Sequence, residues 1–142
     1  MQVFIIGTPL QTAMALDQKR LNKQILETNQ ILDALNGKSA WSNHPCTLQY
    51  RGYEEWLTDY KRCLTAYKNN NNLEAFIAEQ WCHQTRPSFH TQEYFDQMKR
   101  RLYTKDKEHY KQWNGLGTSL ENWYWSQSEN KFIKYINGKR IN

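Results

Sequence analysis

Between residues 17 and 35 the side chains Leu21, Ile25, Thr28, Leu32 and Leu35 recur three and four positions apart. That period fits only an α-helix with one buried face. Asp17 stands where an N-cap belongs, and Asn36-Gly37 supplies the stop. The same period returns downstream. Tyr53, Trp56, Leu57, Tyr60, Leu64 and Tyr67 line one helix, and Leu73, Phe76, Ile77 and Trp81 define the next. Thr91 opens another, which carries Phe95, Met98 and Leu102 inward. Thr8-Pro9 is a cap and first-turn pair for a short helix through Leu16, and Asp106 caps a last short one containing His109, Tyr110 and Trp113. The run from Asn69 to Asn72 reads as a polar loop able to cap the helix that follows.

Helical patterning ends after Gly115 and Gly117. Trp123-Tyr124-Trp125 and Lys131-Phe132-Ile133-Lys134-Tyr135-Ile136, with Asn137-Gly138 as a type I′ turn pair, read as a terminal hairpin. Residues 41–50, around Asn43-His44-Pro45, read as a loop. The expected architecture is an all-α fold, a single domain over residues 1–142 of about five helices with a minor C-terminal β-hairpin. A chain of 142 residues with six Trp, nine Tyr and five Phe has enough aromatic area to close one core without staples.

Composition narrows the function classes. The longest apolar run, Val3-Phe4-Ile5-Ile6, is too short for a membrane span or an export signal, so a cytoplasmic protein without membrane partners is expected. Three irregularly spaced cysteines read as reduced thiols. Cys82-His83 with His90, and Cys46 near His44, lack the paired spacing of zinc sites, so neither metal nor other cofactor is expected. A net charge of +5 favours anionic partners but falls short of a DNA-coating protein. No P-loop, dinucleotide fingerprint or nucleophile elbow occurs.

One stripe stands apart. Arg20, Lys23, Glu27 and Gln30 share a helix face, with Gln24 beside them. Cations next to a carboxylate favour its ionised form, and such a group can stabilise a cationic sugar centre or orient water. The same cations can hold phosphate. On spacing alone the stripe reads first as a solvated face with ion pairs worth about 0.3–0.5 kcal/mol each. Asn43, His44, Tyr50, Arg51 and Tyr53 form a second group suited to holding phosphate and stacking a base, although a loop histidine is more often a local hydrogen-bonding residue.

Several motifs in order resemble those of a known family. They are Met1-Gln2-Val3-Phe4, Leu16-Asp17-Gln18-Lys19-Arg20-Leu21-Asn22-Lys23-Gln24-Ile25-Leu26-Glu27, Gln30-Ile31-Leu32, Trp41-Ser42-Asn43-His44-Pro45, Tyr50-Arg51-Gly52-Tyr53-Glu54 and Lys105-Asp106-Lys107-Glu108-His109-Tyr110. Taken together the chain resembles the pyrimidine-dimer DNA glycosylases, relatives of bacteriophage endonuclease V. The resemblance implies a helical domain that cleaves an N-glycosidic bond, with Glu27 as the helix carboxylate and His44 as a nearby loop histidine. In the repair enzyme a terminal amine behind a small residue attacks the sugar. Here Gln2 is bulky, Met1 is expected to stay, and Leu26 and Gln30 occupy the positions of DNA-binding arginines.

The expected function is an N-glycosidase-type, metal-independent hydrolase of a nucleotide-like substrate. Glu27 and His44 would be catalytic, and Arg20, Lys23, Gln24, Asn43, Tyr50, Arg51, Tyr53 and Lys105 would bind substrate. A phage anti-defence enzyme acting in the host cytoplasm on a cyclic-dinucleotide or ADP-ribose-type signal would suit such a site. The alternatives are a DNA glycosylase excising damaged or modified pyrimidines and a non-catalytic nucleotide sponge. The partner is a nucleotide or nucleic acid, and the assembly is open between monomer and homodimer.

Overall fold

The computed structural model describes residues 2–38, 40–117, 123–136 and 139–141. Six α-helices occur among them: α1 (Pro9–Ala15), α2 (Gln18–Leu35), α3 (Pro45–Gln49), α4 (Glu54–Lys68), α5 (Asn72–Gln84) and α6 (Gln92–Lys105). A small antiparallel sheet follows, in the order β1 (Trp123–Ser126), β2 (Lys131–Ile136), β3 (Lys139–Arg140). The all-α architecture with a minor C-terminal sheet is therefore present.

The helix starts follow from their caps. The Thr8 hydroxyl accepts from the Gln11 amide while the Gln11 side chain accepts from the Thr8 amide, so both ends of a capping box are closed ahead of Pro9. Asn71 caps α5 by accepting from the Glu74 amide, and Thr91 caps α6 by accepting from the Tyr94 amide. Asn70 takes φ of 59°, a left-handed turn that asparagine tolerates between α4 and α5.

Three expectations need correction. Residues 41–50 are not a loop. A 3-10 turn (Ala40–Asn43) leads into α3, where His44 is the N-cap and Pro45 the first helical residue. The segment after Asp106 is not an α-helix either. Asp106 accepts from the His109 amide, but only a 3-10 turn (Lys111–Trp113) forms.

The third concerns α5. Leu73, Phe76 and Trp81, which define its apolar stripe, face outward, Leu73 being 71% exposed and Trp81 52%. The helix instead buries Ala75, Ala78 and Cys82. Ala75 and Ala78 pack with Cys63 and Ala66 of α4, where small side chains let two helices approach closely.

The main core gathers Trp56, Leu57, Tyr60 and Leu64 of α4, Leu21 and Ile31 of α2, and Tyr94, Met98 and Leu102 of α6 around residues 3–5. Val3 and Ile5 are fully buried. The hairpin closes one side. Trp125 stacks on Phe89 and Phe132 on Tyr94, each with ring centroids 5.8 Å apart. The Trp125 amide donates to Gln49 Oε1 at 2.9 Å, tying β1 to α3. The expected Asn137-Gly138 turn lies outside the described residues. All three cysteines are free and buried. Among the described residues no helix is long and apolar enough to cross a membrane.

Candidate active site

Residues 2–6 have no strand partner among the described residues, so their buried backbone groups must be met by side chains. Gln24, only 1% exposed, supplies much of this. Its Nε2 donates to the Gln2 carbonyl at 2.9 Å, and its Oε1 accepts from the Phe4 amide and from the Tyr60 hydroxyl. The Tyr60 hydroxyl also reaches the Phe4 carbonyl, the Tyr94 hydroxyl donates to the Val3 carbonyl, and Thr12 Oγ1 accepts from the Ile6 amide. One turn along α2 from Gln24, Glu27 Oε2 stands 3.5 Å from the Gln2 amide.

Glu27 lies at an open cleft of about 140 Å³ between α2, the N-terminal segment and the end of α6. Lys19, Arg20, Lys23 and Lys105 also line it. The Glu27 side chain is 14% exposed, and Lys23 Nζ lies 3.9 Å from its Oε1, so the two oxygens are distinguished: one faces a cation, the other a backbone N–H. Arg20, Lys23 and Glu27 of the stripe expected on α2 thus line a cleft to which Lys19 and Lys105 add two further cations, whereas Gln30 does not line it.

Arg20 is held rigidly. Its Nη1 bonds both Asp17 oxygens at 3.2–3.3 Å, Asp106 stands 4.0 Å away, and Nη2 reaches the Lys105 carbonyl at 3.5 Å. Asp17 is braced in turn by Tyr110, whose hydroxyl donates to its carboxylate and accepts from its amide. Burial would raise the Asp17 carboxyl, but the Tyr110 hydroxyl and Arg20 outweigh it and hold its pKa below the ordinary value. Asp17, expected as a side-chain cap, makes no cap bond because its carboxylate is used here.

None of the second group is among the residues that line this cleft. His44 Nδ1 accepts from the Cys46 amide at 3.0 Å, which leaves the proton of the neutral ring on Nε2. Burial keeps its pKa below the usual histidine value. Its ring packs edge-on against Trp41 and Tyr124, with centroids 5.6 and 5.7 Å apart. Glu27 meets Lys23 and Gln2 directly, and its charge also acts on Cys46 and Tyr124, two residues that His44 contacts. Asn43 is exposed in the 3-10 turn.

Tyr50 is fully buried, its hydroxyl 2.8 Å from His90 Nε2, so no ring face is open to a ligand. Tyr53 is half-buried and its ring meets Phe89 edge-on. Arg51 lines a separate groove beneath the hairpin with Tyr124 and Arg140. Lys105 does reach the cleft.

Sequence reasoning left out Asp17 and Tyr110 as the brace for Arg20, and Gln2 and Phe4 as cleft walls. The spacing of Asp17 and Arg20, three apart on a helix, signals an ion pair, but nothing local points to Tyr110, 93 residues away. Among the described residues no group of three His, Cys, Asp or Glu side chains is placed to hold a metal ion. Residues 1–69 match the family described as pyrimidine dimer DNA glycosylase. The resemblance seen in the motifs is thereby shown for the first 69 of the 142 residues. No curated protein and no solved structure matches the chain.

Proposed function

We propose that this chain, whose first 69 residues match the pyrimidine dimer DNA glycosylases, is an N-glycosidase that separates a base from a phosphate-bearing sugar. The observation that carries this is Glu27: a carboxylate with oriented oxygens, set in a cleft lined by four cations. As the C1′–N bond breaks, its electrons leave with the base and positive charge develops on the sugar ring. Glu27 stabilises that charge and takes a proton from the water that adds to C1′; the departing base nitrogen then takes up a proton, which returns Glu27 to its carboxylate by way of solvent and completes the hydrolysis. Arg20, Lys23 and Lys105 hold the phosphate, Arg20 being fixed in place by Asp17 and Tyr110. His44 does not line the cleft, but its ring packs on Tyr124 and its Nε2–H is able to donate to a base.

Within this class we favour a small nucleotide over duplex DNA. The cleft is small, Leu26 and Gln30 stand where the repair enzyme has arginines, and the net charge of +5 is modest. A nucleotide immune signal of the cyclic-dinucleotide or ADP-ribose type, destroyed by a phage protein in the host cytoplasm, fits this chemistry. Incubation with nucleotides, cyclic dinucleotides and modified duplexes, followed by mass spectrometry, tests it. Free base is expected from a small nucleotide, and its absence from every substrate would sink the proposal. If Glu27→Gln binds nucleotide and wild type also releases nothing, the chain is a sponge.

The family match favours a second reading, excision of a modified pyrimidine from DNA. That chemistry can run through an amine. Met1, whose amine would be the nucleophile, lies outside the described residues. Borohydride trapping of a covalent adduct on damaged duplex would establish this reading in place of the first.

A further inference from the structure

Gln24 sits on α2 one turn before Glu27, is almost fully enclosed, and is the side chain that reaches the backbone on both sides of Val3. Its amide takes a carbonyl on one side (Gln2) and an N–H on the other (Phe4), which is what one residue of a neighbouring parallel strand would do. The orientation is unambiguous. With the amide turned over, its oxygen would face the Gln2 carbonyl and its NH₂ would face the Phe4 amide, leaving four buried polar groups opposed. Tyr60, fully buried on α4, shares its one hydroxyl proton between the Phe4 carbonyl, the closer acceptor, and the Gln24 oxygen at 2.9 Å, and so ties Gln24 to the same segment. Thr28 Oγ1 donates to the Gln24 carbonyl at 2.7 Å and fastens the turn beneath.

This arrangement does more than satisfy the segment. Held at the Gln2 carbonyl and the Phe4 amide, the chain has little freedom left at Gln2, and the Gln2 N–H is what faces Glu27 Oε2. Lys23 approaches the other oxygen. A carboxylate with a backbone N–H at one oxygen and a cation at the other is biased about its last torsion, which is otherwise broad, towards the rotation that keeps both contacts.

We propose that Gln24, backed by Tyr60, is a positioning residue of the active site, fixing residues 2–4 against α2 so that the Gln2 amide orients the Glu27 carboxylate. This rests on the reading of Glu27 as the catalytic carboxylate. It moves Gln24 from a substrate contact to a residue that acts through another. A misplacement of about 1 Å at a reacting group can cost roughly 100-fold in rate, so the expected loss is in turnover, not in binding.

The test uses Gln24→Met, of similar shape but unable to bond either backbone group, and Tyr60→Phe, which removes one O–H and little volume. In both, kcat for base release is expected to fall, by about 10- to 100-fold in Gln24→Met and less in Tyr60→Phe, with KM within about twofold of wild type. An activity-independent readout is the amide resonance of Gln2. In wild type it should move when Glu27 is changed to Gln; with Gln24→Met or Tyr60→Phe already in place, the same change should move it less or not at all, while the remaining resonances keep their dispersion.

A Gln2 resonance that tracks Glu27 unchanged in both variants overturns the proposal, as does a kcat equal to wild type per folded molecule. Should Gln24→Met fail to fold, Tyr60→Phe carries both measurements. Should Glu27→Gln retain full turnover while the Gln2 response is still lost in the Gln24 variant, the catalytic reading of Glu27 fails and the positioning geometry stands.

Discussion

His90 shows how much a single buried group can dictate at the residue scale. It is 1% exposed, surrounded by Tyr50, Trp56, Phe89 and Tyr94, and bonded to the Tyr50 hydroxyl. Burial, aided by the nearby Arg86 cation, pushes its pKa down to about 3. The unfolded chain binds a proton near the ordinary histidine value of 6.5 and the folded one does not, so stability is fully present above that pH and falls as pH drops from 6.5 towards 3. Urea titrations should show this loss in wild type, on the order of a few kcal/mol, and a flatter profile in His90→Gln. An identical pH profile in the variant would contradict the buried, neutral assignment. Tyr50→Phe should cost about 1–3 kcal/mol in the same assay, because it leaves a buried His90 nitrogen without its partner.

The residue scale is also where sequence reading was weakest. Glu27, Lys23 and Arg20 were recognisable because a helix face is a local pattern. In the sequence Gln24 reads only as a ligand contact, because its partners, Gln2, Phe4 and Tyr60, lie 20 or more positions away and no period encodes them. Tyr50 reads as a base-stacking ring for a similar reason. An aromatic beside an arginine looks available until packing encloses it.

At the scale of elements, long stripes of large side chains located α2, α4 and α6 because burying them is the dominant gain on folding. Helix α5 was found by the same signal but faces the other way. Its inward residues are Ala75, Ala78 and Cys82, and small side chains carry no conspicuous pattern although they set how closely α5 approaches α4. A direct consequence follows for mutations. Phe76→Gln, on the outer face, should change stability by no more than about 0.5 kcal/mol. Ala78→Leu, pressed against α4, should cost about 1–3 kcal/mol by overpacking. Denaturant midpoints of the two variants decide the orientation, and the reverse order would mean that α5 packs by its large residues. Helix α3 was missed because five residues are too few to show a period; the His44-Pro45 step, an N-cap followed by a proline at the first helical position, was the available sign.

At the scale of the whole molecule, the cleft depends on elements far apart in the chain. Residue 2 comes to it from the N-terminal segment, Arg20 and Glu27 from α2, and Lys105 from the end of α6, with Tyr110 locking the junction through Asp17. Only residues 1–69 match the glycosylase family, so Lys105, Tyr110 and the hairpin belong to the part whose chemistry must be learned from this molecule. Tyr110→Phe, which frees Asp17 and loosens Arg20, should raise KM for a phosphate-bearing substrate several-fold with a smaller change in kcat; a change confined to kcat would place Arg20 outside phosphate binding. Few phosphate contacts also predict a shallow salt dependence. The plot of log binding constant against log salt should have a slope near −1 to −2, whereas a long DNA footprint contributes about −0.9 for every neutralised phosphate.

The central claim, that the Glu27 carboxylate cleaves an N-glycosidic bond, is tested most directly by following release of free base from the responsive substrate with wild type and Glu27→Gln side by side. The account predicts that Glu27→Gln binds the substrate with near-normal affinity and releases base at least about 100-fold more slowly. Base release by Glu27→Gln at the wild-type rate would contradict it.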